Sequence, residues 1–161
     1  MCVGVEPGYV IIADVDTPIL LTKLHVPNRR PDTVVRPRLL DRLDTGLRRQ
    51  RRLTLISAPA GYGKTTVATD WLHRQAIPSA WVGLDEADND PQRFMTYLVA
   101  AFQRVNPALG AGARSLLQGP QSAGGTACLT LLINDLVEAD EPMILVLDDY
   151  HLIHTPEVHA L

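Results

Sequence analysis

The chain has 161 residues, of which 46% are hydrophobic and 20% are charged, and its formal net charge is −3. This length suits a single domain core, and the composition excludes a disordered chain. Two cysteines are too few for a disulfide framework or a zinc site, no apolar run reaches the ~18 residues of a membrane span, and the amino end lacks the basic start of a secretory signal, so we expect a cytoplasmic protein.

The amino-terminal third predicts little regular structure. Residues 1–21 are an uncertain extension in which Tyr9–Ile12 is a candidate strand. Residues 22–52 form a lead-in segment, irregular where it is rich in proline, and then a helix that opens at Pro37. The arginines in and after this helix indicate a solvated face, with a DNA-contacting patch as the alternative. They are Arg38, Arg42, Arg48, Arg49, Arg51 and Arg52.

A strand, a loop and a helix are predicted next. The apolar run Leu53–Ser57 predicts a buried strand, and a helical pattern begins after Gly63. Between them lies Ala58-Pro-Ala-Gly-Tyr-Gly-Lys-Thr65, which matches the phosphate-binding pattern G-x-x-x-x-G-K-[ST] with alanine in place of the first glycine. The required strand-to-helix context favours a P-loop over a chance match.

Each part of this loop has a chemical reason. Small residues let the backbone fold so that its N–H groups point at an anion, and the following helix adds the positive end of its dipole. Lys64 would place its charge on the β and γ phosphates, and the Thr65 hydroxyl would bind Mg²⁺. The loop residues that we assign to nucleotide binding are Ala58, Gly61, Tyr62, Gly63, Lys64, Thr65 and Thr66.

The remaining elements alternate between strand and helix. Ser79–Leu84 predicts a strand, and Asp90 before Pro91 predicts a capped helix start. Residues 106–125 hold five glycines and two prolines and predict a loop, and an amphipathic helix follows over 129–137. Apolar strands that alternate with helices predict an α/β fold with a parallel sheet.

The apolar strand Met143–Leu147 ends in two carboxylates, as a Walker B strand does. On this pattern Asp148 is a Mg²⁺ ligand together with Thr65, and Asp149 is the catalytic residue that orients or deprotonates water. Because the pattern is weak alone, its weight comes from the P-loop ~80 residues upstream.

Two other polar clusters have simpler interpretations. The acidic residues of 85–90 do not fit a calcium-binding EF-hand loop, so we expect an ordinary polar loop at a strand end. Three histidines, His151, His154 and His159, lack cysteine partners and indicate a helix boundary more than a metal site. His151 alone stays a candidate near the γ-phosphate.

Seven segments together resemble the amino-terminal ATPase module of the large ATP-binding regulators of the LuxR family. They are Thr22–Leu24, Val35–Leu40, Ser57–Thr66, Trp81–Glu86, Asp88–Pro91, Arg93–Leu98 and Leu147–Leu152. The resemblance implies a P-loop NTPase core of three layers, a switch that binds ATP or ADP with Mg²⁺, and self-association in the full-length family. It also implies that Arg36 lies near the adenine.

Residues 53–161 then correspond to a partial P-loop core, with Walker A at 58–65 and Walker B at 143–149. The family's sensor and DNA-binding parts and its later strand are not expected in these residues, so ATP hydrolysis is doubtful. The resemblance predicts that Leu53–Ser57 and Met143–Leu147 are neighbours without a hydrogen-bonded ladder, roughly 10 Å apart. The alternatives are a stand-alone P-loop kinase or transferase, and a non-functional remnant.

Overall fold

The computed structural model describes residues 19–29, 34–119 and 125–161. The candidate strand Tyr9–Ile12 lies outside these residues. The helices are α1 Pro37–Arg48, α2 Lys64–Leu72, α3 Pro91–Val105, α4 Ala111–Gln118, α5 Gly125–Ala139 and α6 Pro156–His159, and the strands are β1 Ser79–Gly83 and β2 Ile144–Asp148. Short 3₁₀ turns occupy Leu21–Leu24, Glu86–Asn89 and Tyr150–Leu152.

The sheet of the described residues has two parallel strands. The register pairs Ser79 with Ile144 at one end and Gly83 with Asp148 at the other. One further hydrogen bond, from Leu84 N to Asp148 O at 3.0 Å, extends the pairing past the end of the ladder. The predicted α/β class and parallel sheet are confirmed, and the carboxyl ends of both strands meet at one edge.

Helices lie on both faces of this sheet. On one face α3, α4 and α5 form the larger core, which contains Val82 and the fully buried Met95 and Leu132. On the other face α2 packs Ala68 and Leu72 against Trp81. Alternation along β1 produces this division, because successive side chains of a strand point to opposite faces.

Two predicted helix starts are confirmed. Pro37 occupies the first turn of α1, where its missing N–H leaves no hydrogen bond unmade. The Asp90 carboxylate accepts a hydrogen bond from Arg93 N at 2.7 Å and caps α3, with Pro91 in the first turn. A capping interaction of this kind stabilises a helix by about 1 kcal/mol.

The prediction of a loop over 106–125 was wrong for its middle part, which forms α4. Gly110 stands just before α4 with φ of 72°, a conformation that glycine adopts without strain, and Asp135 of α5 accepts its N–H at 2.7 Å. The fully buried Ala113 fixes α4 in the core. The glycine and proline count concealed this helix because burial, rather than intrinsic propensity, stabilises it.

The predicted buried strand Leu53–Ser57 was also wrong. These residues form no strand, and the side chains of Leu53 and Leu55 are 85% and 82% exposed. Strand pairing within the described residues joins only β1 and β2, and residues 53–57 take no part in it. The expected spacing between these two segments stays a prediction. An apolar run becomes a strand only where a partner supplies its hydrogen bonds.

No helix among the described residues is long and apolar enough to cross a membrane.

Candidate phosphate and metal site

The 58–65 loop leads directly into α2. Gly61 and Gly63 have φ of 80° and 76°, in the left-handed region where a side chain introduces strain. Gly63 is the residue that precedes α2, and no side chain caps that helix end. The loop therefore presents the N-terminal N–H groups of a helix, which are suited to binding an anion.

The Lys64 ammonium lies over the start of this loop. Its Nζ donates to the carbonyl of Ala58 at 3.1 Å and lies 3.5 Å from that of Pro59. The side chain thus reaches back across the loop instead of pointing into solvent. This position places a positive charge on the loop, as a phosphate site needs.

Arg36 lies beside the same loop, although it is 26 residues distant from Tyr62 in sequence. Its Nη1 donates to the Tyr62 carbonyl at 2.8 Å. Its position follows from α1, which begins at the next residue and is tied to α2 by a hydrogen bond from Trp71 to the Asp44 carboxylate at 2.7 Å. Gln75, just after α2, donates to the same carboxylate at 2.9 Å. A second cation is thereby placed on the loop.

The loop also contacts the end of β2. The Thr65 hydroxyl donates to the Asp148 carboxylate, with distances of 2.9 and 3.1 Å to its two oxygens, across 83 residues of sequence. Burial and the charge of Asp149 raise the pKa of Asp148, while the Thr65 hydrogen bond and the charge of Lys64 offset part of this effect. A second positive group at this carboxylate would therefore favour its ionised form.

Asp149 follows at the edge of the site. Its backbone has φ of 56°, which is unusual for a residue other than glycine, and its side chain is exposed. The His151 ring nitrogen Nδ1 lies 3.7 Å from the Asp149 carboxylate. The side chains of Tyr62 and Thr66 are exposed to solvent. Three contacts thus converge on the 58–65 loop: Arg36 with Tyr62, Lys64 with Ala58, and Thr65 with Asp148, which Asp149 follows in sequence.

The acidic residues after β1 have a structural role, as expected for a polar loop. Asp85 and Asp88 form a reciprocal capping box around the turn Glu86–Asn89. Both carboxylates also contact the buried ammonium of Lys23. These hydrogen bonds and ion pairs hold Asp85 and Asp88 in place after the end of β1.

The histidines do not form a metal site. His159 accepts or donates a hydrogen bond with the Tyr150 hydroxyl at 2.9 Å, and the backbone N–H of His154 donates to Asn89. Among residues 19–29, 34–119 and 125–161, no group of three or more His, Cys, Asp or Glu side chains is placed to hold a metal ion.

Sequence reasoning missed two residues that hold the turns after β1 and β2, Lys23 and Asn89. Each lies within a segment of the family resemblance, Thr22–Leu24 and Asp88–Pro91, and received no role there. Lys23 is also one of only two lysines in the chain. That rarity is a signal that could have identified it, whereas its partners 62 and 65 residues away could not be inferred from spacing.

No family model matches the chain. The chain is 43% identical over 141 residues to the HTH-type transcriptional regulator MalT of Yersinia enterocolitica, a match that covers 88% of this chain and 15% of the relative. The MalT proteins of Yersinia pestis strain Pestoides F and Yersinia pseudotuberculosis serotype O:1b are 42% identical over the same shares. The chain thus spans 15% of the length of these curated relatives. The resemblance seen in the motifs is confirmed: over most of its length the chain is homologous to part of the MalT regulators of the LuxR family.

Proposed function

We propose that the chain is an ATP- and Mg²⁺-binding switch module of a LuxR-family transcriptional regulator. The observation that carries this proposal is the contact between the Thr65 hydroxyl and the Asp148 carboxylate. It joins the end of a glycine-containing loop to the end of a parallel strand. A hydroxyl and a carboxylate so placed are the protein ligands that Mg²⁺ takes beside nucleotide phosphates.

The charges around the loop support a phosphate ligand. Lys64 and Arg36 place two cations on the loop, and the uncapped start of α2 adds the positive end of a helix dipole. Bound Mg²⁺ would neutralise charge on the β and γ phosphates, with Thr65 and Asp148 holding it. Asp149 would orient or deprotonate water from its exposed position at the edge of the sheet.

The regulatory part of the proposal comes from the relatives, which are named as transcriptional regulators. We infer that nucleotide exchange between ADP and ATP switches the whole regulator, that the ATP form self-associates, and that it acts in the cytoplasm. The chain spans 15% of the length of these relatives, so the properties of the whole regulator are part of the proposal.

Nucleotide titration by isothermal calorimetry tests the proposal. The purified chain should bind ATP and ADP, with ATP affinity rising when Mg²⁺ is present. Lys64→Ala should weaken ATP binding by about 10- to 100-fold, because charge-assisted hydrogen bonds contribute about 1.5–3 kcal/mol.

Arg42→Ala is the matched control, because Arg42 is an exposed cation on α1 and its loss changes the net charge equally. Circular dichroism shows whether each variant is folded. A wild-type chain that binds no nucleotide, or an unchanged dissociation constant for Lys64→Ala, would refute the phosphate-site assignment.

A further inference from the structure

Two loops lie at the carboxyl edge of the sheet, and one side chain connects them. After β1 the chain makes the turn Glu86–Asn89, and after β2 it passes Asp149 and makes the turn Tyr150–Leu152. The first turn carries no residue that we assign to nucleotide or metal. The second directly follows the two carboxylates of the candidate site.

The Asn89 side chain makes five hydrogen bonds. Its amide nitrogen donates to the carbonyl of Leu152 at 2.8 Å and to that of Glu86 at 3.0 Å. Its oxygen accepts from His154 N at 2.6 Å, from Thr155 N at 3.0 Å and from the Thr155 hydroxyl at 2.9 Å. Because an amide offers both donors and an acceptor, neither an aspartate nor an apolar residue can make this whole set.

The segment that Asn89 holds includes a strained residue. Asp149 has φ of 56°, and a residue other than glycine keeps such a conformation only when its surroundings fix it. Its carbonyl accepts from Leu152 N at 3.0 Å, and the carbonyl of Leu152 accepts from Asn89. A continuous path of contacts therefore runs from Asn89 through one turn to Asp149. The buried side chain of Ile153 anchors the same segment in the core.

We propose that Asn89 is a positioning residue, which fixes the chain after β2 and thereby holds the Asp148 carboxylate beside Thr65 and the Asp149 carboxylate next to it in the chain. What these carboxylates bind rests on the proposed function, whereas the positioning is a property of the free chain. Asn89 contacts none of the loop residues 58–65 through the hydrogen bonds described, so its effect should be confined to the carboxylate side of the site.

The first experiment measures the free chain by NMR and needs no ligand. In Asn89→Ala, hydrogen-exchange protection of the His154 and Thr155 amides should fall about tenfold, and the backbone shifts of Asp149 should move away from left-handed values. The matched control is Asn106→Ala, because Asn106 accepts one backbone N–H, from Ala108 at 3.0 Å, in the loop after α3. Unchanged Asp149 shifts in a folded Asn89→Ala would overturn the proposal.

A second variant covers the case in which Asn89→Ala does not fold. Asn89→Asp keeps the acceptor for His154 and Thr155 and loses the donor to Leu152. It should retain amide protection at 154 and 155 while the Asp149 shifts still move. If the shifts stay as in the wild type, the path from Asn89 to Asp149 does not exist.

The second experiment measures ATP affinity with and without Mg²⁺. Asn89→Ala should reduce the Mg²⁺-dependent gain in affinity about tenfold and leave Mg²⁺-free affinity unchanged, because the loop that holds the phosphates is untouched. An equal fall in both affinities, as general destabilisation would produce, contradicts the proposal. If the wild-type chain binds no ATP, the proposed function fails, and the NMR measurements still decide the role of Asn89.

Discussion

Replacing Lys23 with methionine tests whether the buried charge network stabilises the fold. The Lys23 side chain is only 8% exposed, and it contacts Asp88, whose side chain is fully buried. It also lies 3.0 Å from the half-exposed Asp85 carboxylate and 4.4 Å from the centre of the Tyr97 ring. Methionine has a similar length, so the substitution removes the charge with little change in volume.

The expected loss follows from these contacts. Removing one partner of a buried ion pair destabilises by about 3–5 kcal/mol. Asp88 keeps two partners, Arg93 at 3.0 Å and the Asp85 N–H at 2.8 Å, which places the loss near the lower end. The half-exposed contact with Asp85 adds about 0–1 kcal/mol, and the contact with Tyr97 about 1 kcal/mol. We expect a loss of about 4 kcal/mol in the free energy of unfolding, a large share of the roughly 5–15 kcal/mol of a natural domain.

Urea denaturation followed by tryptophan fluorescence measures this loss, because Trp81 is buried and Trp71 partly so. Arg42→Met is the control, since an exposed side chain should change stability by less than about 0.5 kcal/mol. The double variant with Asp88→Asn should be more stable than Lys23→Met alone, because no buried charge is then left without its partner. A loss below about 1 kcal/mol for Lys23→Met would refute the reasoning.

The same network predicts a response to pH. Burial opposes the ionisation of Asp85, but the hydrogen bond and charge of Lys23 and the Ala87 N–H lower the pKa of Asp85 below its usual 3.8. A lowered carboxyl pKa contributes stability above the unfolded-state pKa, and that contribution is lost as pH falls through the folded-state pKa. Lys23→Met should therefore lose less stability than the wild type as pH falls below about 3.8, the usual pKa from which that of Asp85 is lowered. Urea denaturation at a series of acidic pH values measures the difference.

Three further predictions concern the site and the exposed segment. Asp149→Asn should leave ATP binding nearly intact, because asparagine accepts the left-handed backbone at 149. It should lower any hydrolysis, because the carboxylate that would act on water is lost. A collapse of binding would show that the roles of the two carboxylates are exchanged. Gly63→Ala should lower stability by about 1–2 kcal/mol through strain at φ of 76° and weaken phosphate binding, and an unchanged melting temperature would contradict the loop geometry. Replacing both Leu53 and Leu55 with threonine should reduce aggregation, measured by light scattering, without lowering the melting temperature, because both side chains are largely exposed.

Local signals predicted the parts of the fold that local chemistry determines. Pro37 and the Asp90–Pro91 pair placed two helix starts, and the loop before Lys64 placed a third. The apolar run that ends in Asp148 placed β2 within a residue. For the helix starts, the deciding contacts lie within a few positions of the residue that makes them, whereas β2 also depends on its pairing with β1.

The predictions failed where contacts between residues far apart in the sequence determine the structure. The Leu53–Ser57 run has the composition of a strand, but a ladder depends on a partner that spacing does not reveal. The helix α4 forms among glycines because Ala113 is buried in the core. Asn89 shows the same limit at the site, because its partners at 152–155 lie 63 to 66 residues further along the chain.

The 58–65 loop adjoins regular secondary structure at its carboxyl end only. Its carboxyl side runs into α2, while the preceding residues 53–57 belong to no strand and leave Leu53 and Leu55 open to solvent. A segment with few buried contacts opens at low free energy, and a loop that is correctly shaped for part of the time binds with its affinity reduced by that fraction. If the loop binds phosphate as proposed, covering these two leucines would therefore tighten that binding without any contact to the phosphate. An apolar surface next to the loop would then regulate an electrostatic site.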